Sequence, residues 1–148
     1  MIDIENFVFD TFYNQLIQIY PNANITTGYD EQNASSLTII IRETNNTPVK
    51  RSATDACVEN HARLTYEIEV ICDEETAGKA KCKAVLNDVD NIAAQSMKMT
   101  RIHKNRPINI DRTRWRQYAR YEVIVGKPVT YDAGTANERT VYQMYRRV

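Results

Sequence analysis

Residues 63–72, "RLTYEIEVIC", alternate with a period of two. Leu64, Tyr66, Ile68, Val70 and Cys72 share one face, and Arg63, Thr65, Glu67 and Glu69 share the other. That pattern predicts a strand with one face in a core and the other turned to water or a partner. The period then changes. In "DEETAGKAKCKAVLNDVDNIAAQSM" (73–97), Cys82, Val85, Val89, Ile92 and Ala93 recur at helical steps and predict a helix with a buried stripe. Asp73, Glu74 and Glu75 suit the positive end of its dipole, and Asp88 and Asp90 are assigned to its solvated side.

A second long strand is predicted over 113–125 within "INIDRTRWRQYARYEVIV" (108–125). Thr113, Trp115, Gln117, Ala119, Tyr121, Val123 and Val125 fall on one parity and are expected to face the core. Trp115, Tyr121 and Val123 should bury against Leu64, Ile68, Val85 and Val89. Arg114, Arg116, Tyr118, Arg120, Glu122 and Ile124 fall on the other parity, an arginine row on the outer face. "DIENFVFDTFYNQLIQIY" (3–20) reads as an amphipathic helix with Asp3 as N-cap and Val8, Phe12, Leu16 and Ile19 as its apolar stripe, stopped by Pro21.

"ITTGY" (25–29) is a short extended piece, 30–35 a polar turn and "SLTIIIRET" a β-branched strand. Residues 44–61 lack either period and are expected to form a long functional or mobile loop. "KMTRIHK" is a short strand, "NRPINID" a loop, and 126–148 a C-terminal hairpin, "VTY" and "RTVYQMY" joined across "DAGTANE". The expected architecture is a single domain over 1–148. It is α+β, two helices packed on a mostly antiparallel sheet with a C-terminal β-hairpin.

The 148 residues are 43% hydrophobic and 26% charged, close to an ordinary globular protein and large enough for a real core. The longest aliphatic cluster is Ile39-Ile40-Ile41, far short of a membrane span, and the acidic N-terminus lacks the order of a secretory signal. A cytoplasmic chain is expected, with Cys57, Cys72 and Cys82 serving as reduced, small hydrophobes. Neither histidine, His61 or His103, sits in a nucleophilic pattern. No phosphate-binding or zinc-protease motif occurs, and Cys57 with His61 lacks a second metal-ligating pair. No enzyme, cofactor or metal is expected.

A net charge of zero conceals segregation. Residues 1–97 carry fifteen acids and seven bases, whereas residues 98–120 carry eight bases and one acid, Asp111. Head-to-tail self-association can use such an arrangement. The arginine row has two destinations, cross-strand pairing with Glu67 and Glu69 or an interface between subunits. The arginines outnumber these two glutamates, so internal pairing leaves positive charge over. A nucleic-acid module is the weaker alternative, because an acidic remainder repels a polyanion and no recognition motif is present.

In the order of its elements, and in Asn109, Asp111, Trp115, Arg116, Arg120 and Tyr121 opening a long strand, the chain resembles the phage tail terminator family over residues 1–125. These are also called tail completion or head-to-tail joining proteins. The 44–61 loop and the C-terminal hairpin are less familiar there. The resemblance implies a structural virion protein without cofactor, present in the host cytoplasm before its assembly. Its homo-oligomer, typically a hexameric ring, caps the tail tube at the tail–neck junction and stops its polymerisation. Implied partners are the tail tube protein, a neck or head-completion protein and the tape measure protein, with genomic DNA passing through the ring. Another head–tail connector is the alternative within the same setting. Interface candidates are Arg112, Arg114, Arg116, Tyr118, Arg120, Glu67 and Glu69.

Overall fold

In the computed structural model, the residues described are 1–28, 36–49, 61–73, 77–111, 113–126, 129–132 and 138–146. Cys57, Arg112 and the 30–35 turn lie outside them. Two helices, α1 (Glu5–Ile19) and α2 (Gly78–Met97), pack on one face of a curled seven-stranded sheet. Its main path joins β1 (Asn24–Thr26), β2 (Leu37–Pro48), β3 (His61–Asp73), β6 (Arg114–Gly126) and β4 (Thr100–Lys104). All pairings are antiparallel except β1 with β2. The expected α+β architecture is the one observed.

The alternation in β3 does what its period requires. Leu64, Tyr66, Ile68, Val70 and Cys72 are all buried beneath the helices, against Ala119, Tyr121, Val123 and Val125 of β6. The α2 stripe of Cys82, Val85, Val89, Ile92 and Ala93 is buried as expected, extended by Leu86 and Met97. At the head of α2, a Cβ on Gly78 would stand 2.6 Å from the Trp115 ring. Trp115 itself is half-buried at the rim of the core, a correction to its expected full burial. It lies near the N-terminal end of β6, where α2 begins.

Four other expectations are corrected. In α1 the buried residues are Val8, Phe12 and Leu16, continued by the partly buried Tyr20 just past its C-terminal end, whereas Ile19, the last residue of the helix, is 51% exposed. Ile4 occupies the cap position, while Asp3 accepts the Glu5 N–H at 3.1 Å. Residues 44–48 of the expected loop continue β2 past a bulge between Glu43 and Asn45, paired with Ala62–Thr65. Their polar composition is overridden by the ladder that β3 offers. Asp73 belongs to β3 and not to the start of the helix, where it was expected to face the dipole.

β6 is the spine of the sheet. β3 pairs with its whole length. Its other edge is covered piecewise by β5 (Ile108–Asn109), β4 and β9 (Met144–Tyr145), so no long unpaired edge remains there. The C-terminal hairpin is present as β7 (Val129–Asp132) with β8 (Glu138–Val141). The "QMY" segment, however, leaves it to pair with Ile124 and Val125. Among the described residues no helix is long and apolar enough to cross a membrane.

Lys98 ends α2 with φ 52, a left-handed conformation that costs a residue with a Cβ about 1–2 kcal/mol. Lys98→Gly is therefore expected to stabilise the protein by about 0.5–1 kcal/mol after its own entropic penalty, read as a raised thermal midpoint.

Candidate functional site on the outer sheet face

The face of the sheet away from the helices is a lattice of arginines and glutamates. The register sets Arg42 of β2, Glu67 of β3 and Arg120 of β6 in one row across three strands. Arg42 donates through Nη2 to Glu67 Oε1 at 2.6 Å and to Glu69 Oε2 at 3.0 Å. Arg120 Nε donates to the other Glu67 oxygen at 2.9 Å, and Arg116 Nε lies against Glu69. Each glutamate is thus held by two guanidinium groups.

Both carboxylates end up nearly covered, Glu67 at 7% and Glu69 at 6% exposure, on a face expected to meet water. The arginines provide that cover. Their stems lie along the sheet while 39–47% of the Arg42, Arg116 and Arg120 side chains stays accessible. Tyr118, also half-buried, sits between the Arg116 and Arg120 guanidinium groups, 5.8 and 5.6 Å from its ring centre. The His103 ring adjoins it from β4. Farther along the same face Arg63 approaches Glu122 at 3.6 Å.

Arg114 belongs to a different device. Its Nε donates to Asp111 Oδ2 at 2.9 Å, and Asp111 Oδ1 accepts the Thr113 and Arg114 N–H groups at 3.0 Å each. Asp111 thereby closes the turn into β6. Those N–H bonds, with Arg114 beside them, hold its carboxyl at about 2.

The structure brings Arg116, Tyr118, Arg120, Glu67 and Glu69 together as one surface and sets Arg114 at its edge; Arg112 lies outside the described residues. The two glutamates are engaged by arginines of their own chain, so internal pairing accounts for the inner edge of the row. The central cation, Arg42, was not among the sequence candidates. The signal available was a single charged residue directly after the apolar run Ile39–Ile41 of an expected strand.

A second charged cluster lies on the helical side. Tyr121 donates its hydroxyl to Asp90, which also accepts from Arg101 Nη1 at 2.6 Å, and Tyr20 donates to Asp88. These aspartates anchor tyrosines, correcting their assignment as solvated. Burial, then the adjoining carboxylates, push both phenols up in pKa, so they remain donors. Among the described residues no group of three or more His, Cys, Asp or Glu side chains is placed to hold a metal.

Burial works to raise the Glu67 pKa, but hydrogen bonds from Arg42 and Arg120 outweigh it and the net shift is downward. A lowered folded value means its stabilisation is complete above the ordinary 4.5 and fades as pH falls through the lower folded value. Glu67→Gln should therefore flatten the acid limb of the stability curve, measured by urea unfolding between about pH 7 and pH 3.

Neither a protein-family model nor a curated protein matches the chain.

Proposed function

We propose that the chain is a phage tail terminator subunit. On this reading several copies, typically six, form a ring that caps the head-proximal end of the tail tube, stops its polymerisation and joins it to the neck. The observation that carries the reading is the outer sheet face, where guanidinium groups fixed from behind by buried glutamates present half-exposed edges beside Tyr118. Arg and Tyr are enriched at protein interfaces, and a guanidinium already held in place loses less entropy on binding. The segregation of acidic and basic segments along the chain supplies the complementary surface. The element order that resembles tail terminators supports the same reading.

Nucleic-acid binding is less favoured, because Glu67, Glu69 and Asp111 already neutralise much of the arginine charge. DNA passing through a ring needs no specific contact. The ring is a place for this protein to act mechanically, without bond-making chemistry.

The test is genetic and structural together. Particles assembled without this chain should carry tubes of unregulated length that fail to join heads. A reconstruction of complete particles should place the chain in a ring at the tail–neck junction. Tails of normal length joined to heads in its absence, or density for it elsewhere, would contradict the proposal. Steeply salt-dependent DNA affinity of the purified protein would favour the nucleic-acid alternative.

A further inference from the structure

The outer face contains a depression of about 260 Å³ between β2, β6 and the turn after β5. Arg42, Arg114 and Arg116 surround an aliphatic floor made by Ile40, Ile71 and Ile110, with Glu69 below the arginines. Ile110 is 48% exposed and lies beside the partly buried Ile71, so the depression presents an apolar surface to a partner. Arg42 and Arg116 direct one edge inward to the glutamates and keep about two-fifths of their side chains accessible.

The first 41 residues contain five acids and no lysine or arginine. Three of the acids, Asp3, Glu5 and Asp10, stand exposed on or beside α1, where Phe7 and Tyr13 are also partly exposed, at 37% and 39%. On the outward side of α1, Asp10 lies three residues from both Phe7 and Tyr13, and this carboxylate flanked by aromatic rings complements a cationic rim with an aliphatic floor in both charge and polarity.

We propose that this depression receives the N-terminal helix of a second copy of the chain. Asp10 of that copy meets the outward guanidinium edges, and the flanking Phe7 and Tyr13 cover the isoleucine floor. The inference rests on the ring reading and names the contact that builds the ring. Topology favours this occupant. α1 lies on the helical side of the sheet and the depression on the opposite side, so each subunit can use both surfaces at once with two different neighbours. Such a contact joins unlike patches and propagates until it closes. The glutamates beneath hold the arginines in position before the helix arrives.

The experiment pairs Asp10→Cys with Ile110→Cys in the full chain under mild oxidation. The sheet separates these two positions within one subunit, so a disulfide between them has to join different copies. The expected result is a ladder of reducible covalent multimers on a denaturing gel, absent from either single variant. An independent arm uses charge. Asp10→Lys and Ile110→Glu should each raise the concentration for half-assembly about tenfold, and the double variant should restore it. An intact ring in which the cysteines do not cross-link and the charges do not compensate overturns the docking while leaving the ring standing. Wild-type protein that never assembles overturns both.

Discussion

Tyr121→Ala is expected to destabilise the fold by about 3–5 kcal/mol, the usual range for truncating a large buried aromatic. The ring is 1% exposed at the centre of β6, and its hydroxyl reaches Asp90 at the edge of the core. Alanine would leave a cavity beneath α2 bounded by strands on both sides, which have little freedom to close it. Tyr121→Phe separates the two contributions. It keeps the ring and removes one hydrogen bond, with an expected cost of about 1 kcal/mol, because Asp90 retains Arg101 and Lys104. Urea unfolding of both variants checks this, with an unchanged denaturant slope showing that stability alone has moved. Near-equal costs would mean that the ring contributes little packing.

Arg42→Ala is the second large effect, and it tests the outer lattice. The substitution takes one of two cationic partners from each of two nearly buried carboxylates. Breaking a fully buried pair costs about 3–5 kcal/mol, but the Arg42 side chain is 42% exposed and water can replace part of it. A loss of about 1–3 kcal/mol near neutral pH follows. The loss should shrink in acid as Glu67 protonates. Arg42→Lys should recover only part of the stability, since an ammonium lacks the planar fork that spans both glutamates. A double-mutant cycle with Glu67→Gln should be strongly non-additive, because the two residues act through one network. Additive effects would mean that the network is a set of independent surface pairs.

The parts of the fold set by a local period were legible before any coordinates. The alternation from Leu64 to Cys72 marked β3, and helical steps from Cys82 to Ala93 marked α2. The two parities of β6 separated the buried Tyr121, Val123 and Val125 from the outward Arg120. What escaped was set by partners distant in sequence. Residues 44–48 become strand because β3 pairs with them, and Met144–Tyr145 leaves its hairpin because Ile124 and Val125 offer an edge. Trp115 lies on the core parity but near the end of its strand, so parity alone overstated its burial.

The candidate site shows the same division. Glu67, Glu69, Arg116 and Arg120 could be placed on one face by counting twos. Nothing in that count shows that two glutamates on an outward face are nearly covered, because the cover comes from Arg42 on another strand and from the arginine stems themselves. The tyrosine–aspartate pairs escaped for a related reason. Asp88 and Asp90 sit on the polar side of the α2 period, and only tertiary packing brings Tyr20 and Tyr121 to them.

The central claim is that this surface joins copies of the chain head to tail into a closed ring. The most direct measurement is the native mass of the purified protein over a range of concentrations and salt. A closed ring predicts one discrete species at a fixed multiple of the 17.1 kDa subunit, giving way to monomer on dilution and in high salt as charge contacts are screened. A monomer at every concentration in low salt, or an open series of multiples without a preferred size, would contradict it.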